Sequence, residues 1–78
     1  MRFTTALAIA VITKGAIYLK EEDGMITTAA MYEGDIFRDI TKRKSEPSVF
    51  VPAPEKIVKE GWRVISGRDL KKIARLLG

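Results

Sequence analysis

Four basic residues near the end of the chain recur at i, i+3, i+4 and i+7, the spacing that places side chains on one face of a helix. They are Arg68, Lys71, Lys72 and Arg75. Such a face can bind phosphate groups, because each lysine or arginine that neutralises a phosphate releases counterions and strengthens binding to nucleic acid. The same stripe is also typical of a solvated helix face, since lysine and arginine are good helix formers and complement the negative C-terminal end of a helix.

The densest positive charge lies earlier in the chain, in the run Lys42, Arg43 and Lys44. A short basic run beside a loop is often only a solvated turn. If the fold brings it next to the final helix, however, the two groups form one patch of seven positive charges, enough for non-specific binding of DNA or RNA. We therefore take these seven side chains as the candidate nucleic-acid-binding residues, and their types do not distinguish DNA from RNA.

Positive charge is concentrated in the second half of the chain. The net charge is +4; residues 1–37 hold three basic and five acidic side chains, whereas residues 38–78 hold eleven basic and five acidic ones. Such asymmetry is typical of proteins with an anionic partner. The sequence therefore predicts a small basic protein that associates with nucleic acid mainly through phosphate contacts.

The residue types that most enzymes use are missing. The chain contains neither histidine nor cysteine, which excludes Ser-His-Asp and Cys-His arrangements, a histidine general base, and zinc sites built from nitrogen and sulfur ligands. The acidic residues of the predicted turns match no calcium loop, and a solvated state is expected for them. We therefore predict a protein that is not an enzyme and that holds no metal or cofactor.

The elements that would position the basic residues begin with an ambiguous segment. In FTTALAIAVIT (3–13), large and small residues alternate with a period of two, and six of the eleven are β-branched, which favours a strand covered on both faces. A helix is the alternative, because alanine favours helices and Thr4 or Thr5 could serve as the N-cap. AIYLK (16–20) and MITTAAMY (25–32) predict two further strands, joined by EEDG, whose Asp-Gly pair is a strong hairpin signal.

The second half of the chain predicts helices separated by extended segments. DIFRDITKRK (35–44) has the acidic start and basic end of a short helix. Pro54 suits the first position of another helix, which a left-handed Gly61 would end. Trp62 then opens the short strand WRVI as a core residue, and Ser66 caps the final helix in a capping-box arrangement. A winged-helix arrangement is only a minor alternative. Its recognition helix would have to lie at VFVPAP, a segment that is predicted to be extended.

Together these elements predict one small α+β domain over residues 1–78. It is an antiparallel β-meander of about three or four strands packed with two or three short helices, the last of them amphipathic. A chain of this size has a thin core, and without cysteine no disulfide reinforces it, which favours homo-oligomers. The alternative function is therefore a protein–protein interaction or self-assembling module. It would act through an exposed strand edge or the arm 48–54, with Val49, Phe50 and Val51 as partner-binding residues.

Composition and hydropathy also bear on the origin and location of the protein. Asparagine, glutamine and cysteine are absent while lysine, glutamate, arginine and isoleucine are abundant, the compositional trend of hyperthermophile proteins; codon bias or design would give the same result. The apolar run Phe3–Ile12 lacks a suitable signal-peptide cleavage site and is too short to span a bilayer. We expect a cytoplasmic protein without a membrane partner.

Overall fold

A computed structural model describes residues 1–41 and 48–77. Within these ranges, five strands form one antiparallel sheet in the order β4-β3-β2-β1-β5, so that a four-strand meander is completed by a fifth strand beside β1. The predicted α+β class, the meander and the C-terminal helix are confirmed. In chain order, the elements are α1 (Phe3–Thr13), β1 (Ala16–Lys20), β2 (Ile26–Glu33), β3 (Ile36–Asp39), β4 (Ser48–Val49), α2 (Pro54–Ile57), β5 (Trp62–Ile65), a 3-10 helix (Gly67–Asp69) and α3 (Lys71–Leu77).

Residues 3–13 form helix α1, so the strand prediction for this segment is wrong. The same residues carry a helical stripe, with Phe3, Ala6, Leu7 and Ala10 at i, i+3, i+4 and i+7. Ala6 and Ala10 are fully buried against the sheet. The order of large and small residues in this segment is compatible with a strand of period two and with this helical stripe equally well. The helix forms because the sheet beneath it buries the stripe. Lys14, at φ 53°, ends the helix in the left-handed conformation.

The core lies between α1 and one face of the sheet. Ile17, Leu19 and Trp62 are fully buried there. The Trp62 ring centroid lies 4.9 Å from that of Phe3, and the indole Nε1 donates a 3.0 Å hydrogen bond to the carbonyl oxygen of Lys56. The prediction that Trp62 is a core residue is therefore confirmed, and this one side chain joins α1, β5 and α2.

The hairpin between β1 and β2 forms where Asp-Gly predicts it. Gly24 adopts φ 84°, and the Oδ1 of Asp23 accepts a 2.9 Å hydrogen bond from the amide of Met25. The Glu21 amide in turn donates to the carbonyl oxygen of Met25 at 2.9 Å. The positive φ that glycine adopts readily and the hydrogen bond that the aspartate side chain accepts thus fix this turn locally.

The helix predicted for residues 35–44 is wrong over its described part, because residues 36–39 form strand β3. Gly34 and Asp35 have φ values of 57° and 70°, the pair of left-handed residues that a tight two-residue hairpin requires. The turn places Ile36 opposite Glu33 and pairs β3 with β2. Because β2, this turn and β3 occupy residues 26–39, the helix that the winged-helix alternative requires there is absent.

The segment around α2 agrees with the sequence at its start and differs at its end. Pro54 is the first residue of α2, as predicted, but the helix ends at Ile57 and Gly61 has no left-handed conformation. Glycine is needed at position 61 for a different reason, since a Cβ there would lie 2.6 Å from the carbonyl oxygen of Lys20. The capping-box prediction at Ser66 is also wrong: its side chain makes no cap bond, and its carbonyl oxygen accepts the Asp69 amide at 2.9 Å.

Candidate nucleic-acid interface

The four basic residues of the C-terminal segment all lie exposed on the surface. Arg68 belongs to the 3-10 helix, whereas Lys71, Lys72 and Arg75 belong to α3. The apolar residues between them, Leu70, Ile73 and Leu77, are half-buried, while Ala74 is exposed. The two sides predicted for this segment are therefore present, although the helix is shorter than the periodicity predicts. We call the exposed set Arg68, Lys71, Lys72 and Arg75 the basic face.

Most cations of the basic face have no acidic partner among residues 1–41 and 48–77. The only described ion pair on it joins the Nζ of Lys72 to the Oδ1 of Asp69 at 3.8 Å, between two largely exposed side chains. Such a pair contributes about 0–1 kcal/mol and leaves the lysine available. The basic face can therefore accept anionic groups without first breaking a strong internal ion pair.

Two other lysines of the second half share one acidic partner. The carboxylate of Glu21, only 14% exposed, accepts hydrogen bonds from the Nζ of Lys56 at 2.6 Å and of Lys59 at 2.5 Å. Together with the Thr27 hydroxyl, these bonds lower the pKa of Glu21 from 4.5 to about 2, and the bond to Glu21 raises the pKa of Lys59. This cluster fixes α2 to the β1–β2 hairpin. Its lysines are accordingly not part of the candidate interface.

An open groove lies between the last turn of α3 and the β1–β2 hairpin. Its volume is about 560 Å³. The basic side chains on its wall are Lys20 and Arg75, and Tyr18, Ile26 and Leu77 also line it. Asp23 also lines the groove at the hairpin end. An aromatic ring and two cations at one opening can receive a base and its phosphates.

Strand register adds a third cation beside Tyr18. Tyr18 pairs with Arg63 on β5, and directly paired residues of neighbouring strands place their side chains on the same face of a sheet. A second depression, of about 410 Å³, is lined by both residues together with Glu60 and Val64. Tyr18 therefore lines both the groove and this depression, and each of them also has one arginine in its lining.

Sequence reasoning missed Tyr18, Lys20 and Arg63 as members of this surface. The signal is present in part, because Tyr18 and Lys20 alternate with the core residues Ile17 and Leu19 and must point away from them. The sequence does not show that the end of α3 lies beside that opposite face of the sheet. Only the packing of α3 brings Arg75 next to Tyr18.

The remaining predicted site residues divide into two groups. Lys42, Arg43 and Lys44 lie outside the described residues. In the arm, Val49 and Val51 are exposed, whereas the Phe50 ring packs 6.4 Å from that of Phe3 and its amide donates to the Phe37 carbonyl oxygen at 2.9 Å. Phe50 is thus part of the protein's own core, and its neighbours form the free apolar surface of the arm.

Over the described ranges, no group of three or more acidic side chains is arranged to hold a metal ion. No helix within residues 1–41 and 48–77 has the length and apolar character required to cross a bilayer. Comparisons with protein-family models, with curated proteins and with solved structures give no match to this chain.

Proposed function

We propose that this protein is a small, non-enzymatic nucleic-acid-associated protein that binds mainly through phosphate contacts from its basic face. One observation carries the proposal: the basic face is exposed and, within the described residues, almost free of acidic partners, while Lys56 and Lys59 are paired with Glu21. Unpaired cations on a surface helix bind phosphates without losing an existing ion pair. Lys42, Arg43 and Lys44 are proposed as further phosphate-binding residues.

The groove beside the basic face favours single strands over duplex. A phosphate held between Arg75 and Lys20 would bring the adjoining base toward the ring of Tyr18, which lines the same groove. Stacking on an aromatic side chain requires an unpaired base, whose faces are free, and contributes about 1–3 kcal/mol per base. A duplex offers phosphates but no free base, so it would not gain this stacking energy.

Fluorescence anisotropy with labelled single-stranded DNA, single-stranded RNA and duplex DNA tests the proposal. We expect binding at low salt whose affinity falls steeply as salt rises. The double variant Lys71→Gln/Arg75→Gln should weaken binding and reduce the slope of log affinity against log salt by about 1.4 for single strands, because each phosphate that is no longer neutralised lowers the slope by about 0.7.

A matched variant separates the basic face from net charge alone. Arg2→Gln/Lys14→Asn removes two exposed cations at the two ends of α1, and asparagine tolerates the left-handed conformation at position 14. This control should bind almost as the parent chain does. The proposal fails if no nucleic acid binds at low salt, or if both double variants weaken binding to the same extent.

The second candidate function is a protein–protein interaction module that acts through the arm 48–54. Val49 and Val51 favour it, since they are 65% and 82% exposed beside the anchored Phe50. Strand edges favour it less. Within the described part of the chain β4 has two residues, and on β5 the N-terminal ammonium group donates to the carbonyl oxygen of Trp62 at 3.0 Å.

A further inference from the structure

Helix α1 presents an apolar face on the side turned away from the sheet. None of its eleven residues is charged. Ile12 is 81% exposed, and Val11 and Ile9 are 41% and 36% exposed. A helix on the surface of a monomer normally turns charged residues outward, and one that is apolar all round is normally covered. We call this surface the outer face of α1; its residues are Thr4, Thr5, Ala8, Ile9, Val11 and Ile12.

We propose that the outer face of α1 is the interface of a homodimer, in which the two α1 helices pack antiparallel about a two-fold axis at Ala8. Ala8 is the midpoint of the helix, with small Thr4 and Thr5 on one side and larger Val11 and Ile12 on the other. Two copies related by such an axis present the same surface to each other. This inference is independent of nucleic-acid binding.

The order of side-chain sizes selects a second copy in the antiparallel direction. Reversal about Ala8 places Ile12 of one copy opposite Thr4 of its partner, and Val11 opposite Thr5. Large residues then face small ones toward both ends of the contact, so the helices stay evenly spaced and close-packed there. In a parallel pair, isoleucine would meet isoleucine at one end and threonine would meet threonine at the other, leaving a tapering gap.

The available area agrees with an interface that continues beyond the helix. A helix of this length spans about 16 Å, and stable interfaces bury about 800 Å² on each partner, more than a single short helix provides. Exposed apolar residues adjoin its first turn: Met1 precedes it, and Val51 follows Phe50, whose ring contacts Phe3. In the proposed dimer, Met1 and Val51 supply apolar contact beyond the helix itself.

Sedimentation equilibrium over a wide range of protein concentration tests the dimer. We expect the mass to rise from the 8.7 kDa of one chain toward twice that value, without weakening at high salt, because the outer face carries no charge. Ala8→Glu would place two carboxylates face to face at the axis and should weaken association at least a hundredfold, since like charges in contact at an interface repel each other strongly. The control Met25→Glu adds a charge at a site that is 63% exposed on the hairpin and should leave the dimer intact.

Disulfide trapping tests the direction of the helices, and the chain has no cysteine of its own to interfere. Ala8→Cys should form a cross-linked dimer on mild oxidation. Ile12→Cys should not, because the two copies of residue 12 lie eight helical positions apart, about 12 Å, beyond the range of about 4.4–6.8 Å between bridged Cα atoms. Far-UV circular dichroism confirms that each variant is folded. A mass that stays at one chain at every concentration overturns the proposal, and so does efficient cross-linking of Ile12→Cys instead of Ala8→Cys.

Discussion

Trp62→Phe is the substitution that most directly tests how the core is held together. The indole is fully buried, contacts Phe3, and donates to the carbonyl oxygen of Lys56 at 3.0 Å. Phenylalanine keeps a ring at this position but removes three ring atoms, namely the donor nitrogen and two carbons. The variant therefore separates the hydrogen bond to α2 and the outer part of the indole from the aromatic packing against α1.

The expected loss of unfolding free energy is about 2–3 kcal/mol. The hydrogen bond contributes about 0.5–1.5 kcal/mol net, and burial of the deleted ring atoms contributes roughly 1.5 kcal/mol at about 0.8 kcal/mol per buried carbon. A domain of this size has about 4–12 kcal/mol of total stability, so the variant should still fold. Its melting temperature should fall by about 10–20 °C, because 1 kcal/mol corresponds to about 4–8 °C in a domain of this length.

Urea unfolding followed by far-UV circular dichroism measures this loss, because Trp62 is the only tryptophan and its fluorescence disappears with it. Tyr32→Phe is the matched control. It removes a hydroxyl whose bond to Asp35 is exposed and 3.3 Å long, and it should change stability by less than about 0.5 kcal/mol. A Trp62→Phe loss as small as that of the control would refute the conclusion that the indole anchors α2.

Three further predictions concern the ion-pair cluster, a close backbone approach and the groove. Glu21, whose pKa lies at about 2 instead of 4.5, stabilises the fold fully above pH 4.5 and loses this contribution as the pH falls toward 2. In urea unfolding, the drop in unfolding free energy between pH 5 and pH 2.5 should therefore be smaller for Glu21→Gln than for the parent chain. The control Glu22→Gln should show the same drop as the parent chain. Gly61→Ala should destabilise the fold by about 1–3 kcal/mol in thermal melts, since its Cβ would collide with the carbonyl oxygen of Lys20; an unchanged melting temperature would contradict the tight approach. Tyr18→Leu should weaken single-strand binding in anisotropy titrations without changing its salt dependence, because stacking releases no counterions; a reduced salt slope would argue against stacking.

Several elements could be predicted because short-range chemistry specifies them. The β1–β2 hairpin follows from Asp-Gly and from period-two alternation on either side of it, and Pro54 starts α2 as its fixed φ requires. The apolar and basic sides of the C-terminal segment follow from its spacing alone. In each case the residues that determine the structure lie within one turn or one strand, so no distant contact is needed.

The sequence by itself thus determined the charge asymmetry, the absence of histidine and cysteine chemistry, the hairpin and the two-sided final helix. The tertiary structure decided the rest. Residues 3–13 satisfy both periodicities, and burial of Ala6 and Ala10 against the sheet selects the helix. Likewise, Arg75 comes to line one groove with Tyr18 only because α3 packs beside the sheet. Contacts between distant parts of the chain add their free energy only once the fold has formed, so local patterns do not reveal them.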